Sequence, residues 1–429
     1  MTISGFLECS TCSNVIKVRY QVGYITPFKV RIGCKECGKV IKGEIDLKSE
    51  SFNFGSDSYN QKHSEADQTT SISSELPISK LANEKGSLST PFMSLGKVFG
   101  GFHNVLKFQA DLKNFQQFYD ESFSNYTMLN ELLQKNSIKY LLEEAKKRFR
   151  DKLSLELFNF HEFSFVLNEI THDFFKAFYT DHYQDEFHKK IIQSLLEENK
   201  GNKSELNDLR DTINVYTNLG EEYKKGQMLL EKFLANIKSF LPVILLSYNN
   251  NFSATHGTDF TITTFDFQDL KDLYIEQFEF LARLSSLHFG LHNLAERGDF
   301  NDFGTIPDCS VLEDYQKRTN GSKKEVIKKS DLLNNYFLDT LNSQIRNGLG
   351  HLKTSYDPVD QIITFFPYIE KEKLDRSKTI FLIDFTNLVY QQALKVKDTQ
   401  ILIQKLYEYL DAAVFKSLMQ QRGVLRFVE

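Results

Sequence analysis

The chain has 429 residues, 41% of them hydrophobic, and a net charge of −5 at pH 7. No stretch approaches the roughly 20 consecutive apolar residues that span a bilayer, and the first residues lack the basic and apolar regions of a secretory signal. The composition therefore excludes a transmembrane protein and a generally basic nucleic-acid coat protein. We expect a cytoplasmic protein of about two to three domains with no membrane partner.

Short β-strands are predicted within residues 1–48. Apolar and polar side chains alternate over residues 18–24 and again over residues 28–32. This alternation is the period of a strand with one buried face. Gly23 and Pro27 favour a turn between the two runs.

Four of the five cysteines form two close pairs, Cys9 with Cys12 and Cys34 with Cys37. In a reducing compartment such pairs favour a metal over a disulfide, and two Cys-x2-Cys motifs are typical of a four-thiolate tetrahedral zinc site. Four thiolates leave no position for water, so the predicted zinc is structural and not catalytic. The pattern resembles a zinc ribbon, and two redox-active Cys-x2-Cys pairs are the alternative.

The same segment carries basic residues that are expected to share one face of a hairpin, namely Lys17, Arg19, Lys29 and Arg31. Tyr20 and Phe28 are interleaved with them in sequence. Such a strip could grip a nucleic-acid backbone and stack bases on its aromatic rings. A docking surface for protein and a solvated strand face are equally compatible with these residues.

The composition changes after the cysteine segment. Residues 49–93 are rich in serine and other small polar residues and contain few large apolar ones, so we predict a flexible linker. From about residue 94 onward the apolar residues recur with a helical period. The predicted protein is therefore mainly α, with four parts: a β zinc ribbon at 1–48, the linker at 49–93, a helical domain of unknown role at 94–215 and a second helical domain at 216–429.

The second helical domain contains the clearest amphipathic patterns. Apolar stripes predict helices at 221–241, 269–296 and 331–349, with Pro242 interrupting the first. Residues 361–369 and 379–383 alternate in the manner of a small β-hairpin, and a further helix is expected to begin near Asp384.

The helix expected at 331–349 ends in the sequence Gln-Ile-Arg-Asn-Gly-Leu-Gly-His, residues 344–351. Its Arg346, Asn347 and His351 resemble the motif of the HEPN ribonuclease superfamily, in which an arginine and a histidine are separated by four to six residues. The expected hairpin and final helix fit this resemblance, because many bacterial HEPN domains are helical bundles with a short hairpin after the motif. The resemblance covers residues of roughly 220–420.

The resemblance implies a function for the three motif residues. Arg346 and His351 would be catalytic and Asn347 would orient them, in a composite cleft formed by two copies of the chain. The implied activity is metal-independent cleavage of RNA by a homodimer. The implied setting is bacterial anti-phage defence, including abortive infection, or a toxin-like system, and such an activity would need restraint by a trigger or a regulatory protein partner.

The same chemistry can be argued from the side chains themselves. Along a continuous helix, Asn347 and His351 lie on one face and Arg346 lies to the side, while Gly348 and Gly350 weaken the helix and allow a bend. An imidazole can take the proton of a ribose 2′-hydroxyl at neutral pH, and a guanidinium can bind the phosphate under attack. These groups suffice for RNA cleavage without a metal.

Other interpretations of these residues remain open. His351 could be an exposed C-terminal cap of an ordinary helix, and the domain could be a non-catalytic HEPN-like module that binds protein or nucleic acid. His288 and His292 have the i, i+4 spacing of a metal-binding pair, but a hydrogen-bonded core histidine is favoured at position 288. Cys309 is interpreted as a plain thiol.

Overall fold

The computed structural model describes residues 2–60, 65–84, 86–94, 98–148, 160–176, 191, 203–248, 256–304, 306, 309–351, 353–366 and 377–410. Over these residues the chain is mainly α-helical and has small β-sheets, which confirms the expected fold class at that level. Within the same residues, no helix combines the length and the apolar character needed to cross a membrane.

The described strands form four small sheets, of order β6-β1-β2-β7, β3-β4-β5, β8-β9 and β10-β11-β12. All the neighbours pair antiparallel except β2 and β7, which are parallel. The strands are β1 Thr2–Glu8, β2 Val15–Gln21, β3 Phe28–Gly33, β4 Val40–Asp46, β5 Ser51–Asn53, β6 Ser58–Asn60, β7 Gln68–Ser73, β8 Ile78–Ser79, β9 Phe260–Thr261, β10 Thr354–Asp357, β11 Ile362–Phe365 and β12 Lys378–Phe381.

The described α-helices are α1 Phe102–Gln134, α2 Ile138–Arg148, α3 Phe160–Lys176, α4 Lys203–Tyr216, α5 Leu219–Leu234, α6 Ile237–Ile244, α7 His256–Asp259, α8 Phe267–Arg297, α9 Leu312–Gln316, α10 Asn320–Ile327, α11 Asp331–Phe337, α12 Ser343–Gly350 and α13 Leu382–Leu410. The helix expected at 269–296 corresponds to α8. The expected hairpin is formed by β11 and β12, β10 adds a third strand to it, and α13 follows directly.

Two of the expected helices are divided in the structure. The helix expected at 221–241 breaks between α5 and α6, and Pro242 lies inside α6 instead of ending it. The helix expected at 331–349 is interrupted by a 3-10 turn over Leu338–Leu341. That interruption is stabilised by a side chain, since the Gln392 amide donates to the Thr340 carbonyl at 2.8 Å.

The strands predicted at 18–24 and 28–32 exist as β2 and β3, but they do not pair with each other. β2 pairs with β1, and β3 pairs with β4, so residues 2–46 form two separate hairpins, which we call the cysteine hairpins. Each Cys-x2-Cys motif lies in the turn of one hairpin. The two motifs therefore occupy the same position in two similar hairpins.

The flexible linker expected at 49–93 contains ordered elements in the structure. β5, β6, β7 and β8 lie there, and β7 runs beside β2. Ile72 and Ile78 are fully buried, and Ser71 is buried with its hydroxyl donating to the Ala82 carbonyl at 3.1 Å. Small polar side chains are compatible with this packing because the strand backbone and the hydroxyl groups form hydrogen bonds within the protein.

The described chain forms two compact units, and each is assembled from separated segments. The first unit takes residues 1–117, 232–276 and 344–391, and the second takes 118–231, 277–343 and 392–429. The expected domains, by contrast, were continuous in sequence. Several helix ranges cross these limits, so the unit boundaries fall within helices.

In the first unit, the cysteine hairpins are joined to residues from the middle of the chain. The Arg31 backbone N–H donates to the Thr263 carbonyl at 2.7 Å, and its guanidinium pairs with Asp269 at 2.9 Å. Lys42 pairs with Asp266 at 2.9 Å. Because the carboxylates of Asp266 and Asp269 and the guanidinium are mostly shielded from water, these ion pairs fix the position of β3 and β4 more strongly than surface pairs would.

Gln361 makes the second link within this unit. Its side-chain amide accepts from the Ile262 N–H at 3.0 Å and donates to the Ile262 carbonyl at 2.5 Å, as a neighbouring strand would. Its own carbonyl accepts from Leu382 N–H at 2.8 Å, and its φ of 55° places it in the left-handed region. One residue therefore joins the segment after β9, the β10–β11 turn and the start of α13: its side chain makes the first link and its backbone carbonyl the last.

The second unit has a buried polar network at its centre. The Tyr126 hydroxyl lies 3.0 Å from Gln227 Oε1, the Gln227 amide donates to Asn168 Oδ1 at 2.9 Å, and Tyr223 donates to the same oxygen at 3.1 Å. Asn168 in turn donates to Gln404 at 2.6 Å. These bonds connect α1, α3, α5 and α13, and they fix the relative register of the helices where apolar contacts alone would permit sliding.

We expect Gln361→Ala to destabilise the first unit, because it leaves the buried N–H and carbonyl of Ile262 without partners. Each group left unsatisfied costs about 1–3 kcal/mol. Asp360→Ala, at the exposed neighbouring position, is the matched control and should change stability by less than about 0.5 kcal/mol. Urea denaturation of the full chain measures both, and equal effects of the two substitutions would contradict the assigned role.

Candidate functional site

The first Cys-x2-Cys motif forms a tight turn between β1 and β2. The Cys9 N–H donates to the Asn14 carbonyl at 3.0 Å, and the Ser13 N–H donates back to the Cys9 carbonyl at 2.8 Å. Ser13 has a φ of 60°, which turns the chain sharply after Cys12. This conformation brings both sulfurs of the motif to one side of the turn.

The second motif repeats the same turn between β3 and β4. The Cys34 N–H donates to the Lys39 carbonyl at 2.9 Å, and the Gly38 N–H donates to the Cys34 carbonyl at 2.8 Å. Gly38, with a φ of 69°, occupies the position after Cys37 that Ser13 occupies after Cys12. Glycine accepts this conformation without the strain that a side chain introduces.

The two turns bring four sulfur atoms together. All four Sγ atoms lie within 4.8 Å of one another, with Cys9 and Cys37 at 3.8 Å and Cys12 and Cys34 at 3.6 Å. These distances are far longer than the roughly 2.05 Å of a disulfide bond, and all four cysteines are free. Both contacts join sulfurs of different motifs, as a shared metal ion requires. The cluster could hold one metal ion.

Neighbouring groups do not act alike on these sulfurs. The Asn14 N–H lowers the pKa of Cys12, but burial and the other three thiols outweigh it and raise that pKa to about 12. The pKa of Cys37 is also raised, because burial and the thiols of Cys34 and Cys9 outweigh the Lys39 N–H. Burial disfavours the Cys9 thiolate, but the backbone N–H groups of Thr11 and Cys12 outweigh this and lower the pKa of Cys9 from 9.0 to about 7. The Asn14 side-chain amide points at the Cys34 sulfur at 3.5 Å. Sequence reasoning missed Asn14, although its place two residues after Cys12 corresponds to that of Lys39 after Cys37.

An ion pair between Lys39 and Asp57 stabilises the turns that carry the cysteines. The Lys39 ammonium pairs with the buried Asp57 carboxylate at 2.9 Å, and Asp57 also accepts from the Ser10 N–H at 2.7 Å. Ser10 lies inside the first Cys-x2-Cys motif. The segment expected as a linker thus supplies a direct support for the metal-binding turn, a contribution that no local sequence pattern signals.

The basic strip expected on this segment does not form. The Arg19 guanidinium donates to the Ser87 carbonyl at 2.8 Å, and Arg31 pairs with Asp269. The rings of Tyr20 and Phe28 stack on each other with centroids 5.3 Å apart, and both residues are buried. These aromatic rings therefore belong to the core and are not available to stack bases. Of the remaining strip residues, Lys29 is exposed and Lys17 is half-buried.

The Arg-Asn…His motif lies at the C-terminal end of α12. Ile345 and Leu349 form the buried face of this helix, Arg346 and Asn347 are half-buried, and His351 is exposed just after its last residue. The His351 N–H still donates to the Asn347 carbonyl at 3.0 Å, so the two residues remain one helical turn apart.

The two glycines of the motif have separate structural roles. A Cβ on Gly348 would stand 2.9 Å from the Phe365 Cβ, so this position must be small for α12 to pack on β11. A Cβ on Gly350 would stand 3.4 Å from Nη1 of Arg346, which shows that the guanidinium extends along the last turn. Arg346 and His351 therefore lie at the same end of the helix.

His288 and His292 do not form a metal site. The buried His288 ring lies 2.9 Å from the Leu284 carbonyl and 3.3 Å from the Thr399 hydroxyl, while Nε2 of His292 lies 2.7 Å from the Ser330 hydroxyl. This confirms the favoured interpretation of His288 as a hydrogen-bonded core residue. Over the described part of the chain, the four cysteines are the one cluster suited to a metal.

Cys309 is buried, and burial raises the pKa of its thiol, as expected for an unreactive side chain.

Comparisons of this chain with protein-family models, with curated proteins and with solved structures returned no match.

Proposed function

We propose that the cysteine cluster holds one structural zinc ion. A tetrahedron with zinc–sulfur bonds of about 2.3 Å has sulfur–sulfur edges of about 3.8 Å. The separations of 3.8 Å and 3.6 Å between paired sulfurs fit that size. With four thiolates the coordination is complete, so the ion would bind no substrate and would act by fixing the two cysteine hairpins to each other.

The consequence of metal loss extends beyond the first 48 residues. β2 pairs with β7, and β3 is bonded to Thr263, so both hairpins are parts of a larger folded unit. Loss of the metal would remove the bonds that join the two turns, and this would loosen these contacts as well. A ribbon on the flexible linker expected at 49–93 would unfold alone when the metal is lost. The pairing of β2 with β7 makes a wider loss of structure the expected result.

We therefore expect about one zinc per chain in the purified protein, and none in Cys34→Ser. Cys309→Ser is the matched control, because it removes a buried thiol outside the cluster and should keep the metal. Elemental analysis measures the zinc content. Hydrogen exchange after chelation should show loss of protection in residues 68–73 as well as in the hairpins. Full zinc content in Cys34→Ser would contradict the assignment.

We propose further that the chain is a metal-independent endoribonuclease of the HEPN type. The observation that supports this most directly is the location of Arg346 and His351 at one accessible end of α12. The short antiparallel hairpin and the long helix that follow the motif fit the same family resemblance. The biological setting that the resemblance suggests is anti-phage defence or a toxin-like system.

The proposed reaction uses the two side chains in separate roles. His351 takes the proton of a ribose 2′-hydroxyl, and the resulting oxygen attacks the adjacent phosphorus. Arg346 binds the phosphate and stabilises the charge that develops on its oxygens. The bond to the 5′-oxygen breaks, and that oxygen receives a proton from a second imidazole or from water. The products are a 2′,3′-cyclic phosphate and a free 5′-hydroxyl.

A homodimer would supply the second imidazole. Two copies of α12 facing each other would place two arginines and two histidines in one cleft, and RNA would bind between them. Asn347, half-buried beside them, would hold the geometry of the motif. A regulatory protein partner or the assembly state would inhibit RNA cleavage until it is needed.

The second candidate is a non-catalytic module that binds protein or nucleic acid. The Arg346 guanidinium extends along its own helix and lies beside Gly350. This position favours the second candidate, because a cation at the C-terminal end of a helix can also serve only to stabilise that end. In that case Arg346 and His351 would contribute to a surface and not to a reaction.

We expect Arg346→Ala and His351→Ala each to lower the rate of RNA cleavage by about a hundredfold or more, since each removes a group that acts in the transition state. Gln344→Ala, at an exposed position on the same helix, is the matched control and should cleave normally. Cleavage should persist in EDTA, yield cyclic-phosphate ends and fail on RNA with a 2′-deoxy residue at the cleavage site. Unchanged cleavage by both alanine variants would leave the binding module as the function.

We also expect the active species to be a homodimer, because a single Arg–His pair has no second imidazole to protonate the leaving oxygen. Light scattering during turnover measures the mass of the cleaving species. A mixture of Arg346→Ala and His351→Ala chains tests whether two copies share a site. A monomer that cleaves RNA at full rate would refute the composite cleft.

A further inference from the structure

A second feature of the first unit is a cavity of about 270 Å³ that the proposed ribonuclease function does not use. Its walls are formed by the end of β2, by the chain between β7 and β8, by the 3-10 turn at Pro91–Ser94 and by the start of α1. The side chains that line it are mostly apolar, and they include Val22, Leu76, Phe92, Phe99, Val105 and Phe108.

A single carboxylate lies in this apolar wall. Glu75 is only 6% exposed, and its Oε1 accepts hydrogen bonds from the backbone N–H groups of Tyr24 and of Ile25, the latter at 2.6 Å. A Cβ on Gly23 would stand 2.6 Å from the same oxygen, so glycine permits this close approach. Within the described residues, no group donates to the other oxygen, Oε2. Glu75 also lines the cavity.

In its ionised form, Glu75 is a buried negative charge that two N–H groups compensate only in part. Burial raises the pKa of Glu75, although the two backbone N–H groups act in the opposite direction. A buried carboxylate generally has a cation or several donors around it, because the loss of hydration costs several kcal/mol. The Tyr20 hydroxyl lies near this carboxylate, and its pKa is raised to about 12 by burial and in part by Glu75. A cation from outside the chain would complete the site.

The aromatic rings make the cavity suitable for an organic cation. Phe92 and Tyr24 are 55% and 57% exposed, while Phe99 and Phe108 are buried with centroids 5.5 Å apart. Aromatic faces attract ammonium groups and also bury apolar substituents. A bare metal ion would find one carboxylate where hard cations require about six oxygen ligands, and an anion would be repelled.

We propose that this cavity binds a small organic ammonium ion, with its charged head beside Oε2 of Glu75 and its apolar body among the aromatic rings. The volume lies just below the roughly 300–1,000 Å³ of pockets for drug-sized ligands, so the ligand is a small amine and not a large one. This proposal is independent of RNA cleavage, because it uses none of the motif residues of α12.

The test measures binding of benzylammonium chloride to the full-length protein by calorimetry or by NMR titration. Benzyl alcohol has nearly the same shape without the charge, and it should bind at least tenfold more weakly. Glu75→Gln keeps an oxygen for the N–H groups of Tyr24 and Ile25, and it should also weaken benzylammonium binding at least tenfold. Glu44→Gln, which removes an exposed carboxylate from β4, is the matched control and should bind normally.

The pH dependence of binding provides an additional measurement. The carboxylate form binds the cation, and the pKa of Glu75 is raised, so affinity should decrease as the pH is lowered through that value. The Tyr20 hydroxyl stays neutral over this range, because its pKa is about 12. Affinity for benzyl alcohol should not change with pH.

Three outcomes would overturn the proposal. They are the absence of benzylammonium binding at millimolar concentration, equal affinity for benzylammonium and benzyl alcohol, and unchanged binding by a folded Glu75→Gln variant. Where Glu75→Gln does not fold, the proposal is tested by two other measurements. These are the affinities of benzylammonium and benzyl alcohol for the unaltered protein, and the affinity of benzylammonium for Phe92→Ala. That substitution removes an exposed ring and should weaken benzylammonium binding without affecting the fold.

Discussion

The convergence of four sulfur atoms at two equivalent turns is the constraint on which the first unit depends. Each cysteine hairpin is too small to bury a core of its own. The turns position Cys9 and Cys34 at corresponding points, with the same pair of backbone hydrogen bonds around each. A shared metal ion would convert these two marginal hairpins into one rigid element.

That element is then extended by residues from distant parts of the chain. Arg31 joins β3 to the segment that precedes α8, and Gln361 joins the same segment to the β10–β11 turn. The helix that carries Arg346 packs on this region through Gly348 and Phe365. The cysteine hairpins and the proposed reactive helix end therefore belong to one folded unit, although about 300 residues separate them in sequence.

The features that could be predicted from the sequence are those determined by neighbouring residues. The alternation at β2 and β3, the Cys-x2-Cys turns, the long amphipathic α8 and the β11–β12 hairpin all follow from local periodicity and spacing. The ordered strand β7 could not be predicted, because its partner β2 lies about 50 residues away and its own composition is polar. The division of the helix at 331–349 depends on the amide of Gln392, which no pattern around residue 340 signals. At the candidate site, the positions of Asn14 and Asp57 follow from tertiary contacts that a single sequence does not reveal.

The assembly of the first unit from three separated segments affects how the protein is made. During synthesis, the hairpins emerge from the ribosome long before Thr263 and the segment around Gln361. Until then the backbone of β3 and the side chain of Arg31 lack their hydrogen-bond and ion-pair partners. A shorter product that ended before residue 391 would contain the cysteines but not the complete unit. The first unit can thus be completed only after most of the chain has been translated, and the same holds for any reactivity at the end of α12.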